Sequence, residues 1–284
     1  MRENVQRFDP RQVMSRPDFE VFYYREPKPG NVEVHHHDFY EVYFFLNGQV
    51  EYWVEGRFYR LEPGDLLLIS PMELHRPTVR EDGLYERIVL WVDRAWLEKF
   101  SAGGDSLSRC FDHALSTHTN LLRPSAGQRA AIRSRLAELV QESYGDGGYA
   151  GAQYATGVLL QFLAELNRMA LHTDEQQRTD EPETLVSRVL AYVGAHYSEE
   201  LSLETLAQNF YVSKYHLSHE FSRAVGIGVH RYIMLKRLQV ARQLLAEGMA
   251  PGEVCIACGF RDYTNFYRAF RAEYGTGPRG FAGE

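Results

Sequence analysis

The sequence predicts an α+β chain: an antiparallel β-barrel carrying a pair of helices, followed by an all-α domain that contains one helical unit twice. Three observations predict this. Short apolar runs alternate up to about residue 92, the spacing then changes to the helical period, and a helix, turn and helix pattern near residue 203 returns about 49 residues later. With 284 residues the chain is long enough for two domains that each bury a core.

Residues 19–24, 40–46, 50–54, 58–61, 65–69 and 87–92 read as strands, because apolar and aromatic residues recur there between turn residues. Asn47-Gly48 between two of them suggests a tight hairpin, where glycine takes a positive φ at no steric cost. Pro63-Gly64-Asp65 suggests a second turn. From residue 125 the period is helical. Ile132, Leu136, Leu139 and Val140 form one apolar stripe, and Leu159, Phe162, Leu163, Leu166 and Met169 another, joined by a glycine-rich bend at 144–151. Two uses are open for this pair, packing on the barrel or forming a homodimer contact. The expected division is 1–122 for the barrel, 123–172 for a helical dimerisation element, 173–183 for a polar linker and 184–284 for the all-α domain.

In that domain Ser202 caps a short helix, residues 210–212 turn, Ser213 caps the next helix and Gly226 ends it. Leu217 and Phe221, four apart, give the second helix its buried face. An ordinary helical hairpin would look the same, but the pattern repeats. Leu206, Ala207, Ser213, Leu217, Phe221 and Gly226 correspond to Val254, Cys255, Asp262, Phe266, Phe270 and Gly275, with one extra residue in the second turn. Cys255 then stands where Ala207 stands, which explains a Cys255/Cys258 spacing that would otherwise suggest half a zinc site or a redox pair. The two units are 203–225 and 251–274, and 229–247 between them reads as one long helix.

Ser213-Lys-Tyr-His-Leu-Ser-His-Glu-Phe221 with Gly226, Tyr232, Arg237-Leu238, Ala241 and Leu244-Leu245, and then Cys258-Gly-Phe-Arg-Asp-Tyr-Thr-Asn-Phe-Tyr-Arg-Ala-Phe270 with Gly275 and Pro278, resemble the DNA-binding domain of the AraC/XylS family of transcription regulators. The resemblance covers about a third of the chain. It implies two helix-turn-helix units whose second helices enter major grooves of double-stranded DNA. The base-facing positions it implies are Lys214, Tyr215, Ser218 and His219 on the first and Thr264, Asn265 and Arg268 on the second, with Lys236 at phosphate. Arg268 suits a bidentate contact to guanine and Asn265 one to adenine. His219 stands where many relatives have arginine. Arg237 is open between phosphate contact and a tie between helices.

In the N-terminal half, Gly30, His35, His37, Glu41 and Gly48, then Gly64-Asp65, Pro71 and His75, resemble the two cupin motifs. That resemblance implies His35, His37, Glu41 and His75 as ligands of a divalent metal in cupins that use one; the same residues also suit a pocket lining. An effector site is expected from His35, His37, Glu41, Tyr43, Trp53, Arg57 and His75, because aromatic planes with a few converging polar groups suit a small polar metabolite such as a carbohydrate.

Composition is consistent with this division. The net charge is −7, yet residues 211–271 hold nine Lys/Arg against four acids, leaving −12 on the remainder. No apolar run is long enough to span a membrane and the first ten residues are polar, so no membrane and a cytoplasmic location are expected. Three cysteines do not make a disulfide framework. The reading is a homodimeric, effector-controlled DNA-binding regulator, preferred as an activator, with RNA polymerase as a further partner. The alternative is a metal-dependent cupin enzyme with an accessory helical domain.

Overall fold

The computed structural model describes residues 13–27, 32–79, 83–101, 105–117, 119–145, 148–172 and 184–281. The chain divides into two compact units, Met1–Asp180 and Glu181–Glu284. The segment expected as the linker, and Gly30 of the first cupin motif, lie outside the described residues.

Eight strands build the first unit: β1 (Phe19–Pro27), β2 (Tyr40–Asn47), β3 (Val50–Val54), β4 (Arg57–Arg60), β5 (Leu66–Ile69), β6 (His75–Val79), β7 (Leu84–Val92) and β8 (Leu121–Leu122). They form two antiparallel sheets, ordered β1-β7-β2-β5-β8 and β4-β3-β6. The five-stranded sheet is buried on both faces. Phe22, Tyr24, Tyr43, Phe45, Leu67, Val89 and Trp91 meet Tyr52, Val54 and Tyr59 of the other sheet inside the barrel. Their alternates Val21, Tyr23, Val42, Phe44, Ile88 and Leu90 face the helices. These helices are α1 (Arg94–Lys99), α2 (Arg109–Thr117), α3 (Ala126–Tyr144) and α4 (Gly151–His172). Ser125 and Gln128 cap α3 reciprocally.

The apolar stripes of α3 and α4 are therefore buried within the chain: Leu136, Leu139, Leu159 and Leu163 share one core with the sheet. These stripes are therefore not free for a homodimer contact. A groove of about 540 Å³ remains between the two helices, bordered by Ala131, Arg168 and Met169.

Asn47-Gly48 is not a hairpin, because β2 and β3 lie in different sheets. Gly48, at φ 130°, carries the chain from one sheet to the other, and Asn47 Nδ2 donates to Leu84 O at 3.0 Å beside a register shift in the β2–β7 ladder. The two-residue hairpin is Glu55-Gly56, with positive φ at both residues (41° and 97°), joining the paired β3 and β4. The Pro63-Gly64-Asp65 turn forms as expected, with Gly64 N donating to Phe45 O at 2.8 Å.

The second unit is helical: α5 (Leu185–His196), α6 (Leu203–Asn209), α7 (Lys214–Val225), α8 (Val229–Ala246), α9 (Pro251–Ala257), α10 (Tyr263–Tyr274) and α11 (Pro278–Phe281). The expected stop and start signals operate. Ser202, Ser213 and Asp262 accept from the amides of Thr205, His216 and Asn265, and Gly226 and Gly275 end α7 and α10 in the left-handed conformation. Leu238, Ala241 and Leu245 of α8 pack with Val254, Cys255, Phe266 and Phe270, so α8 is the spine of the second helix-turn-helix. Phe221 of α7 meets Tyr232 of α8 edge to face at 5.6 Å, which ties the first unit to the same spine.

Candidate DNA interface and effector site

The second helix of each pair has one buried and one polar edge. On α7, Leu217, Phe221 and Val225 are buried while Lys214, Tyr215 and His219 are exposed and Ser218 is half-buried. On α10, Phe266 and Phe270 are buried while Thr264, Asn265 and Arg268 are exposed. All seven positions expected to face bases thus lie away from the core. Their present engagements differ. Lys214 Nζ pairs with Glu204 of α6, an exposed ion pair that a phosphate can displace at little cost. His219 lies 3.3 Å from Glu220 and stacks near Tyr215. Asn265 Nδ2 donates to the Asp262 carboxylate, so its amide is committed to the helix cap. Arg268 has no side-chain partner among the described residues. Lys236 is half-buried on α8. Arg237 is a structural tie: its Nε and Nη2 donate to Tyr197 O at 2.8 Å and Glu199 O at 2.7 Å. Cys255 and Cys258 are free and buried, and burial pushes the Cys258 thiol up to about 12.

In the barrel, His37, Glu41 and His75 converge, with one ligand atom of each within 4.8 Å of the others. All three are buried. His37 Nδ1–H donates to Phe39 O at 2.9 Å and His75 Nδ1–H to Glu73 O at 2.7 Å. These bonds turn both Nε2 atoms inward, where neither has a hydrogen-bond partner. His37 Nε2 stands 3.4 Å from Glu41 Oε2. Burial alone would raise the Glu41 pKa, but His37, through a hydrogen bond and its charge, His35 and Trp91 carry it below the ordinary value. Burial, with His35 and His37 nearby, holds His75 well below its ordinary value. A carboxylate and neutral imidazole are the forms that bind metal, and two orphaned Nε2 atoms facing a carboxylate fit a divalent cation.

His35 does not complete a set of four. Its ring packs 4.4 Å from that of His75 and its backbone bridges to His75, but its nitrogens fall outside the convergent group. Its Nδ1 is taken by Glu33 O at 2.8 Å. The expected effector set is corrected in two further places. Trp53 alternates with Tyr52 and Val54, which point inward, so it lies on the outer face of β3 opposite Arg76. Arg57 is exposed at the start of β4 and is not among the converging groups. Tyr43 does face inward, its hydroxyl bonded to that of Tyr85.

Three residues belong to the site that sequence reasoning did not single out. Trp91 Nε1 donates to Glu41 Oε2 at 2.8 Å, its partner in the β2–β7 register. Phe39 stacks flat on His37 at 3.9 Å. Arg87 lies buried between the rings of Tyr24 and Tyr85 and donates to Glu26 at 2.8 Å. Trp91 and Arg87 share inward parity on β7, and a charged residue on that parity was a readable signal.

A family model described as "Helix-turn-helix domain" matches residues 206–283, and one described as "AraC-like ligand binding domain" matches residues 16–145. The chain is 26% identical over 234 residues to the "Uncharacterized HTH-type transcriptional regulator YbfI" of Bacillus subtilis, covering 81% of this chain and 80% of that one. It is 26% identical over 247 residues to the "HTH-type transcriptional activator RhaS" of Salmonella arizonae, covering 86% and 85%. Among solved structures, the C-terminal domain of AraT, a response regulator from Geobacillus stearothermophilus, is 26% identical at a TM-score of 0.34 and covers 36% of this chain and 84% of that one.

Proposed function

Since the chain belongs to the AraC/XylS family of effector-controlled, DNA-binding transcription regulators, we propose that it activates transcription by reading promoter half-sites through α7 and α10 while a small effector binds at His37, Glu41 and His75. The observation that carries this reading is the duplicated helix-turn-helix with both polar helical edges exposed. A spine of 18 residues in α8 measures ~27 Å at ~1.5 Å per residue, near the ~34 Å of one DNA turn, so both edges can address one face of a duplex.

His37, Glu41 and His75 would hold a divalent ion, which supplies a Lewis-acid anchor for the oxygens of an effector such as a carbohydrate. Trp91 and Tyr52 fix the Glu41 carboxylate, and Phe39 fixes the His37 ring. A homodimer places four readers on paired half-sites, and RNA polymerase is the partner an activator requires. An effector controls the assembly only by binding two arrangements of it with different affinity. No helix among the described residues is long and apolar enough to cross a membrane.

The test is DNA binding by the full chain, with and without divalent metal, across a panel of sugars. A metal-dependent sugar response in operator affinity is expected, with bound divalent ion by elemental analysis that is absent from Glu41→Gln/His75→Gln. Equal operator affinity under every condition would reject effector control. Metal-dependent turnover of a sugar without any DNA binding would favour the cupin enzyme instead.

A further inference from the structure

Tyr211 occupies the turn between α6 and α7 at φ 55°, the left-handed region that residues with a Cβ avoid. An aromatic residue in that conformation needs a compensating contact, and the fold supplies none. The side chain is 95% exposed and makes no hydrogen bond or ring contact among the described residues. Only its backbone is engaged, with N donating to Gln208 O at 3.2 Å.

The duplicated unit sharpens the point. Counting from Ala207 and Cys255, the residue equivalent to Tyr211 is Gly259, also left-handed at φ 74°. One copy meets this backbone requirement with the residue that meets it freely, and the other retains a phenol there. That phenol stands two residues before Ser213, the cap of α7, whose first-turn amides and exposed Lys214 form the kind of helix start that DNA phosphates occupy.

We propose that Tyr211 is a DNA-backbone contact of the first helix-turn-helix, its hydroxyl donating a hydrogen bond to a phosphate oxygen beside the start of α7. The assignment rests on the DNA-reading function and extends it to a residue outside both recognition helices. A neutral phenol bonded to phosphate adds affinity without sequence choice and without releasing a counterion.

The test uses the full-length chain, the duplex it selects from a random pool and an unselected duplex of equal length, followed by fluorescence anisotropy over a range of salt. Tyr211→Phe and Tyr211→Gly should each weaken both duplexes by about tenfold with an unchanged salt slope, as expected for one hydrogen bond to a charged group. The melting temperature of the Gly variant, followed by ellipticity, should hold or rise, because the left-handed strain is relieved. A structural role would move stability and affinity down together, and that outcome overturns the proposal. So does full affinity in Tyr211→Phe, or a loss confined to the selected duplex. A wild-type chain that selects no duplex would instead remove the DNA-reading function itself.

Discussion

Gly259 is the position where the second helix-turn-helix is most sensitive to a single added atom. Its φ is +74°, and a Cβ built on it would stand 2.3 Å from Ser198 O, 2.7 Å from Ser198 C and 2.9 Å from Ser198 Cα. These are backbone atoms, and their neighbours are pinned, since Arg237 bonds both Tyr197 O and Glu199 O. Gly259→Ala therefore adds ~1 to 2 kcal/mol of left-handed strain to ~1 to 3 kcal/mol of overpacking. Gly275 supplies the control: φ is +75° and nothing lies within 4 Å of its built Cβ, so Gly275→Ala carries only the strain, ~1 to 2 kcal/mol. At a urea dependence of ~2 kcal/mol/M the midpoint falls by ~1 to 2.5 M for Gly259→Ala and ~0.5 to 1 M for Gly275→Ala. The chain's three tryptophans, Trp53, Trp91 and Trp96, all lie in the N-terminal unit, so fluorescence follows that unit alone while ellipticity also follows the second. The expected result is an ellipticity shift larger for Gly259→Ala than for Gly275→Ala, with the fluorescence transition unmoved. Equal shifts for the two variants would refute the steric argument.

Arg268→Ala should reduce discrimination between selected and random duplexes by ~1 to 3 kcal/mol, whereas Asn265→Ala, whose amide is held by Asp262, should reduce it less; gel-shift titrations that rank them the other way would reject the assignment. Asp262→Ala removes the cap of α10 and should cost ~1 kcal/mol of stability, read in the same urea experiment. The buried thiols Cys110 and Cys258, both pushed up to about 12, and Cys255, also raised by burial, should resist a thiol reagent at neutral pH until the protein is denatured. Fast native labelling of Cys258 would restore the metal or redox reading of the pair.

The second unit was legible almost to the residue, because helix ends there are set by local chemistry: Ser213 and Asp262 as caps, and Gly226 and Gly275 as left-handed stops. The barrel was less so, because its pairing is non-local. The β6 strand carries Pro77 and went unread; the proline is tolerated because β6 is an edge strand of its sheet. The short helices α1 and α2 were also missed, and the Asn47-Gly48 signal was real as a turn but could not say that the chain changes sheets. Double-sided burial removed the polar alternates that would have marked inward and outward faces in β5, whereas in β3 Glu51 marks the outward parity that Trp53 shares, a signal that assignment by residue type passed over. The convergence of His37, Glu41 and His75 was legible through the resemblance to the cupin motifs, while the displacement of His35 goes with a bridge to His75 across forty residues.

The polar content of the barrel interior follows its own logic. A buried charge is costly unless each lone pair or proton finds a partner. Arg87 has Glu26 and two tyrosine faces, and Glu41 has Trp91 and Tyr52. Against that background the Nε2 atoms of His37 and His75 are the exception, since their Nδ1 atoms are engaged by main-chain carbonyls and their inward nitrogens have no hydrogen-bond partner. Apolar side chains of similar size would fill this space with less penalty, as Phe39 and Trp91 do beside it. An arrangement that costs stability and gains no internal bond calls for a bound partner, and this supports the proposal that the effector is sensed at His37, Glu41 and His75 rather than among the tyrosines that fill the rest of the barrel.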